Sequence, residues 1–156
     1  MPETADRLTD GDGPSHEIRR LGPGDLDVVI AASRLFDGPA TVAASRRFLS
    51  EPDHHLLLAT VDGSPAGFVS GVETTHPDKG TEMFLYELGV DPAFQRQGIG
   101  RALAEALATL ARERGCYGMW VLTEPDNEAA LATYRRAGAT EEETCVLLNW
   151  TFEAAG

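Results

Sequence analysis

The chain has 156 residues, which is long enough for one globular domain and too short for two. Hydrophobic residues make up 42% and charged residues 24%, as is typical of a folded protein. The formal net charge of −12 disfavours DNA, RNA and anionic membranes as partners, because each of them requires a basic surface. The same charge is compatible with a cationic substrate and with a role in solubility alone.

The N-terminus indicates the cellular location of the protein, and the two cysteines indicate whether it contains a metal site. No apolar run reaches the length of a membrane span, and the acidic N-terminus lacks the basic and apolar regions of a signal peptide. We therefore expect a cytoplasmic protein with a flexible tail over residues 1–15 and a single domain over residues 16–156. Cys116 and Cys145 have no Cys or His at metal-ligand spacing, so we expect two reduced, buried thiols and no metal.

Apolar periodicity and turn residues predict ten secondary-structure elements in this domain. They are a strand near 18–21, helices near 25–35 and 40–50, strands at 55–61, 66–73 and 83–90, a helix at 98–114, a strand at 118–123, a helix at 127–137 and a last strand at 146–152. The order β-α-α-β-β-β-α-β-α-β predicts an α/β (α+β) fold. His54 and His55, at the start of the second strand, are expected to be structural.

The stretch from residue 91 to 103 is the most informative part of the sequence. A strand enters it and an amphipathic helix leaves it, and the first N–H groups of a helix have no partner within the helix. Gly98 and Gly100 lack a Cβ, so a phosphate can approach these N–H groups, and Arg96 and Arg101 can add ionic contacts. The stretch is neither a Walker loop nor a dinucleotide fingerprint. The alternative is a helix whose first turn merely contains glycines.

Two motifs carry a family resemblance. The pattern Gln95-x-x-Gly98-x-Gly100 resembles the acyl-CoA pyrophosphate loop of the GNAT superfamily of N-acetyltransferases, and the stretch 127–138 resembles its second signature. The resemblance implies the GNAT fold, with a mixed central sheet flanked by helices, and acetyl-CoA as co-substrate. It implies cofactor contacts from Leu88, Gly89, Val90, Gln95, Arg96, Gln97, Gly98, Ile99, Gly100, Arg101, Asn127, Ala130 and Tyr134.

The same resemblance implies catalytic roles for two groups. The Val90 N–H would bind the thioester oxygen, and the Tyr134 phenol would protonate the leaving thiolate; Tyr134 as a core residue is the alternative. Glu87 is the candidate base because it lies in the strand just before this oxygen-binding position, and its other possible role is to bind the substrate ammonium electrostatically. The alternative bases are Glu73, Glu82 and His76. Asn127 could cap its helix, contact the cofactor, or do both.

The strand sequence Tyr86-Glu87-Leu88-Gly89-Val90 also resembles the GNAT-type aminoglycoside 3-N-acetyltransferases, with Glu87 where that group often has Asp. This implies a cationic small-molecule amine as substrate, held by several carboxylates. The candidates are Glu73, Asp78, Glu82, Glu87, Glu124 and Asp126. A polyamine, an amino acid or a protein amine remain alternative substrates, and an acyl-CoA sensor without turnover is the alternative of another class. The oligomeric state is left open, with a homodimer among the arrangements considered.

Overall fold

The computed structural model describes residues 15–153. It contains five strands and four helices: β1 (His16–Arg20), α1 (Leu26–Ala31), α2 (Val42–Ser50), β2 (His54–Val61), β3 (Ser64–His76), β4 (Gly80–Val90), α3 (Ile99–Glu113), β5 (Met119–Val121) and α4 (Glu128–Arg136). Short 3-10 turns occupy Pro23–Asp25, Ser33–Leu35 and Pro92–Phe94. The predicted order is therefore confirmed from the first strand to the last helix. The predicted flexible tail, apart from Ser15, lies outside the described residues.

The five strands form one mixed sheet in the order β1-β2-β3-β4-β5. The first four strands are antiparallel neighbours, whereas β5 runs parallel to β4 because α3 carries the chain back across the sheet. Asp62 and Gly63, with φ of +49° and +79°, make the tight turn between β2 and β3. Positive φ at both turn positions matches the twist of the strands, so this hairpin agrees with the turn that the sequence predicts.

The helices cover the two faces of the sheet unequally. On one face, Leu103 and Leu107 of α3 pack with Met83 and Leu85 of β4 in the larger core. On the other face, α1 and α2 cover β2 and β3, and Phe68 contacts the Phe36 ring at 4.7 Å between centroids. These two helices do not cover β4 and β5, so the second face of the sheet is open there, and Tyr86 and Trp120 are exposed.

The predicted last strand at 146–152 is wrong for the single chain, because residues 139–153 form neither helix nor strand. The alternating apolar pattern is present, but a strand requires a neighbouring strand edge for its backbone hydrogen bonds, and this segment does not reach one. The expectation of two buried thiols is also wrong, since Cys145 in this segment is exposed while Cys116 is half-buried.

Candidate active site

An open backbone edge lies at the C-terminal end of β4. β5 pairs with β4 only from Met83 to Leu85, whereas β3 pairs with β4 as far as Val90. Asp91 donates its N–H to the Ala66 carbonyl (N···O 2.8 Å), so alternate residues bond to β3 and Val90 directs its N–H to the opposite edge. Within residues 15–153 the Val90 N–H is thus free to bind an oxygen placed at that edge.

Two glycines allow β3 and β4 to approach closely beside this edge. A Cβ at Gly67 would lie 2.9 Å from the Gly89 carbonyl oxygen, and a Cβ at Gly89 would lie 2.8 Å from the Phe68 ring and 3.2 Å from the Leu35 carbonyl oxygen. A side chain at Gly67 would therefore force β3 and β4 apart, and a side chain at Gly89 would displace the Phe68 ring and the 3-10 turn that contains Leu35. Gly89 therefore has a packing role, whatever its contact with a ligand.

The loop between β4 and α3 presents backbone N–H groups. Arg96 and Gly98 both adopt positive φ, +64° and +78°, and Gly98 directly precedes the helix. Ala102 is the first residue of the helix to donate backward, to the Gly98 carbonyl (3.0 Å), so the N–H groups of residues 99–101 have no acceptor in the part of the chain that the structure describes. This is the arrangement that binds a phosphate, since the helix dipole adds partial positive charge at the same point.

The basic side chains at this loop differ in their partners. Arg101 donates to Glu105 one turn later (Nε···Oε1 2.7 Å), which neutralises part of its charge. Arg96 makes no ion pair with any residue from 15 to 153. Gln95 donates to the Val90 carbonyl (3.4 Å), and Gln97 is exposed. The free cation beside the presented N–H groups is thus Arg96, as far as the described residues go.

A contact that the sequence analysis missed fixes the start of the loop. Asp91 accepts from the Ala93 N–H (2.9 Å), and Arg34 donates both to Asp91 (3.1 Å) and to the Pro65 carbonyl (2.8 Å). The Ala93 N–H and the Arg34 guanidinium lower the pKa of the Asp91 carboxyl, so it stays ionised. The Asp-Pro dipeptide signalled the turn, but nothing in the sequence signalled the partner 57 positions away.

α4 meets the β4 edge and the start of α3 around Gly100. A Cβ at Gly100 would lie 3.4 Å from Thr133 Cγ2 and 3.5 Å from Leu88 Cδ2, which are ordinary contact distances. Asn127 accepts from the Ala130 N–H (3.1 Å), so it caps α4, as one of its two expected roles requires. The predicted cofactor residues on three separate elements therefore lie close together.

Tyr134 lies on the face of α4 that packs against the larger core. It is half-buried, and burial raises the pKa of its phenol. The hydroxyl makes no hydrogen bond to another residue of the described range. The oxygen is not among the buried polar atoms of the described range, so it is accessible at the surface and available to exchange a proton with a ligand.

Glu87 lines a cleft of about 330 Å³ between α2 and the β3–β4 pair. The walls are mainly apolar, with Phe36, Pro39 and Phe48 among them, and Glu87 is the one carboxylate that lines the cleft within the described chain. Burial raises the pKa of the Glu87 carboxyl, and the Asp37 carboxylate raises it further, while the Asp37 N–H lowers it. A carboxylate with a raised pKa in an apolar cleft can both hold an ammonium and accept a proton from it.

The other predicted substrate carboxylates do not join Glu87. Glu73, whose side chain is 7% exposed, accepts from His55 Nε2 (2.7 Å) and from Arg114 Nε (2.5 Å). Asp78 pairs with His76 in the β3–β4 turn, and Glu82 lies beside the Tyr117 phenol. Glu124 and Asp126 are exposed in the loop between β5 and α4.

Asp37 is the acidic residue near Glu87 that sequence reasoning missed. It follows the second 3-10 turn, in a loop that comes before α2 and is distant from Glu87 in the chain. The pair Asp37-Gly38 is typical of a turn. The sequence does not show that this turn lies beside β4, because that position depends on how α1 and α2 fold over the sheet. Phe84, stacked on Trp120 at 4.0 Å, and Tyr86 form an aromatic row beyond the cleft that was also missed.

Two further findings concern residues 15–153 alone. None of the helices in this range combines the length and apolar character needed to cross a bilayer. No group of three or more His, Cys, Asp or Glu side chains in the range is arranged to hold a metal ion.

Comparison with known proteins identifies the family. The model of the acetyltransferase (GNAT) family matches residues 28–139, and the chain belongs to that family. It is 36% identical over 102 residues to the N-alpha-acetyltransferase RimI of Mycobacterium tuberculosis, covering 65% of this chain and 62% of the relative. It is 45% identical over 144 residues to the mycothiol acetyltransferase of Amycolatopsis mediterranei, covering 83% of this chain and 48% of the relative.

A solved structure supports the fold. The aminoglycoside acetyltransferase meta-AAC0020 from an uncultured soil metagenomic sample, in complex with sisomicin, matches with a TM-score of 0.81 at 24% identity, covering 88% of this chain and 97% of that chain. At this identity the match establishes the fold alone. The chain spans 62% and 48% of the length of the two curated relatives, so their activities are not transferred to it directly.

Proposed function

We propose that this protein transfers the acetyl group of acetyl-CoA to a primary amine. The observation that carries the proposal is the meeting of three elements around Gly100. They are the open edge of β4 with the free Val90 N–H, the start of α3 with its unpaired N–H groups, and α4, which carries Tyr134. The loop would hold the pyrophosphate, because Arg96 and the presented N–H groups supply positive charge there. Gly98 leaves room, since a Cβ at this position would meet no atom within 4 Å.

Three groups of the chain would serve the reaction, and acetyl-CoA would supply the acetyl group as a thioester. Glu87 accepts the proton that the substrate amine loses, directly or through water, as its nitrogen bonds to the carbonyl carbon. The Val90 N–H donates a hydrogen bond to the carbonyl oxygen while negative charge develops there. Tyr134 gives its proton to the sulfur as the carbon–sulfur bond breaks. Solvent then returns a proton to the Tyr134 phenolate, and Glu87 loses its proton to solvent, so both groups regain their starting states.

For the substrate, we propose an aminoglycoside of the 2-deoxystreptamine type, acetylated at the 3-amine. The strand sequence from Tyr86 to Val90 and the net charge of −12 support this, because an acidic protein attracts a polycation. The shared fold with an aminoglycoside acetyltransferase is compatible with it. A single carboxylate in the cleft, with Asp37 nearby, gives the polycation fewer partners than the sequence implied.

The apolar cleft favours a second candidate, the α-amine of a protein N-terminus. The N-terminus of a peptide carries one ammonium next to a small side chain. A cleft with one carboxylate and apolar walls matches this group better than it matches a polycation. The M. tuberculosis relative is named as an N-alpha-acetyltransferase, which supports the same class of amine. In this case the aromatic row of Phe84, Tyr86 and Trp120, of which Tyr86 and Trp120 are exposed, would contact the following residues of the peptide.

One substrate panel tests both the proposed acetyl transfer and the proposed identity of the amine. Thiol release from acetyl-CoA is measured with gentamicin, spermidine, an alanine-initiated peptide and the unacetylated form of mycothiol, and mass spectrometry locates the acetyl group. Release with gentamicin and 3-N-acetylation would support the aminoglycoside, whereas turnover of the peptide alone would replace it. Acetyl-CoA binding without thiol release from any amine would contradict the enzyme proposal and favour a sensor.

A further inference from the structure

The strand β4 contains a bulge at Tyr86, beside the candidate base. Leu85 lies opposite Gly71 of β3 and Glu87 lies opposite Ser70, so Tyr86 is an extra residue without a partner on β3. A bulge of this kind interrupts the alternation of the strand and lets two consecutive side chains reach the same face of the sheet. Tyr86 and Glu87 accordingly both line the cleft described above. The aromatic row therefore begins at the wall of this cleft.

The aromatic row continues from this wall along the open face of β4 and β5. Met83 and Leu85 are buried in the larger core, so Phe84 between them lies on the opposite face. The Phe84 ring meets the Tyr86 ring edge-on, at 5.8 Å between centroids, and stacks on the Trp120 ring at 4.0 Å. Tyr86 is 68% exposed and Trp120 is 39% exposed. The row thus presents aromatic surface to solvent directly beside the cleft.

A second carboxylate lies at the far end of the row. Glu82 precedes Phe84 by two positions in a regular part of β4, so the two side chains lie on the same face. The Glu82 carboxylate lies beside the Tyr117 phenol, and it makes no ion pair with any residue from 15 to 153. Its charge is therefore available to a cation bound at this end of the row.

Glu82 and Glu87 are about 13 Å apart along the strand, because they lie opposite Thr74 and Ser70 of β3, which are four positions apart. Glu87 likewise makes no ion pair in the described part of the chain. Two such carboxylates thus lie at the two ends of one aromatic surface. In a protein with a net charge of −12, this arrangement is complementary to a molecule with a cationic group at each end and a less polar middle.

We propose that the aromatic row and Glu82 form a second cation-binding subsite beside the amine site at Glu87. The inference rests on the proposed acetyl transfer at Glu87, and it narrows the substrate class to elongated polycations. The reactive amine lies at Glu87, and a second ammonium binds Glu82 about 13 Å away. The middle of the molecule packs on the rings of Tyr86 and Trp120, which also attract cationic groups. An amine with one cationic group gains nothing from Glu82 and binds more weakly.

The first test measures binding without turnover, by calorimetry in the presence of CoA, which carries no acetyl group. The probes are decamethylenediamine, whose nitrogens reach roughly the separation of the two carboxylates, and the corresponding amino alcohol, which has the same chain and one ammonium. The unmodified protein should bind the diamine about fivefold more tightly than the amino alcohol. A ratio of no more than about twofold, which two equivalent ammonium groups give by statistics alone, would overturn the proposal, as would no binding of either probe.

Three substitutions assign this preference to residues. Glu82→Gln should reduce the ratio to about twofold and leave the affinity for the amino alcohol unchanged, because only the second ammonium loses its partner. Glu113→Gln removes an equal charge at the exposed end of α3 and should leave the ratio at about fivefold. Tyr86→Ala, at a well-exposed position, should weaken both probes about threefold because the chain loses its aromatic contact. An unchanged ratio in Glu82→Gln, an equal fall in Glu113→Gln, or unchanged affinities in Tyr86→Ala would overturn the proposal.

The second test separates this inference from the proposed function and identifies the polycation. Thiol release from acetyl-CoA is followed with gentamicin, spermine and the alanine-initiated peptide, for the unmodified protein and Glu82→Gln. The KM of the polycation that is acetylated should rise about fivefold in the variant with little change in kcat, because Glu82 does not contact the reacting amine. An unchanged KM, or turnover of the peptide alone, would overturn the inference while leaving the acetyl transfer supported. No thiol release from any amine, together with the diamine preference, would contradict the acetyl transfer and support the subsite.

Discussion

At the scale of single residues, Glu87 and Tyr134 both have a raised pKa, with opposite consequences. Burial raises the pKa of the Glu87 carboxyl, so this carboxylate is a stronger base than an exposed one. Burial also raises the pKa of the Tyr134 phenol, so this group keeps its proton over the whole working range of pH. One group is therefore suited to accept a proton and the other to donate one.

Glu87→Gln should lower kcat at least a hundredfold at neutral pH if Glu87 is the base, because the amide cannot accept the proton. In the unmodified enzyme, kcat should fall as pH drops through the raised pKa of Glu87, and this decline should be absent from the variant. Glu113→Gln, near the exposed end of α3, is the control and should retain activity. A Glu87→Gln effect confined to KM would assign Glu87 to binding alone.

Tyr134→Phe should lower kcat about tenfold or more while leaving the Kd for acetyl-CoA nearly unchanged, because only the proton donor is lost. The phenyl ring preserves the packing against the larger core, and the hydroxyl has no partner in the described range whose loss would cost stability. The two quantities are measured by steady-state kinetics and by calorimetry. Turnover at the unmodified rate would leave Tyr134 a packing residue.

Gly98→Ala should reduce the affinity for acetyl-CoA at least tenfold, because a left-handed φ of +78° is unfavourable for alanine and the loop would relax away from the phosphate-binding shape. The matched control is Gly63→Ala in the β2–β3 turn, with a φ of +79° and likewise no atom within 4 Å of the added Cβ. Both variants should lose about 1 kcal/mol of stability. Equal affinity in both would contradict the loop assignment.

At the scale of elements, a polar cluster centred on the buried side chains of His55 and Glu73 joins β1, β2, β3 and the end of α3. Arg20 can only donate, so its contact with His55 Nδ1 (2.8 Å) makes that nitrogen the acceptor and places the proton on Nε2, which donates to Glu73. Burial lowers the pKa of His55, in agreement with a neutral ring. Arg114 at the end of α3 completes the cluster, and the expectation that His55 is structural fits this position.

Glu73→Gln should therefore lower the free energy of unfolding by about 2 kcal/mol, because it removes the buried carboxylate that accepts from His55. The substitution leaves Arg114 only its longer contact with the exposed Asp53 (3.8 Å). The KM for the amine should stay within about twofold, since Glu73 lies outside the cleft that Glu87 lines. Denaturant unfolding and steady-state kinetics measure the two effects. A large rise in KM at unchanged stability would restore Glu73 to the substrate-binding role.

At the scale of the whole molecule, the net charge of −12 acts on any charged substrate as it approaches. If the substrate is a polycationic aminoglycoside, raising the salt from 0.05 to about 0.5 M should raise KM severalfold with little change in kcat, because screening weakens exposed ion pairs first. A substrate with one ammonium should show a much smaller rise. Equal salt dependence for both substrates would exclude long-range attraction as the basis of selection.

Much of the fold could be predicted from local pattern. Leu103 and Leu107 recur at helical spacing and are buried in α3, and the residues at 55–61 and 66–73 alternate or run apolar as strands do. The phosphate loop could also be predicted, because glycines before a helix act through the backbone of that same stretch. The wrong prediction of a strand at 146–152 also comes from relying on local pattern. Such a pattern cannot show whether the edge of another strand lies within reach of the segment.

The sequence by itself determined the family, the order of nine elements and the glycine loop between β4 and α3, because each of these depends on short local patterns. Only the tertiary structure decided which carboxylates share a site. Glu73 and Glu87 lie on paired strands, yet Glu73 is held by Arg114 while Glu87 lines the cleft and lies near Asp37. Such partners are distant in the chain and come together through packing of helices on the sheet, which no local spacing records.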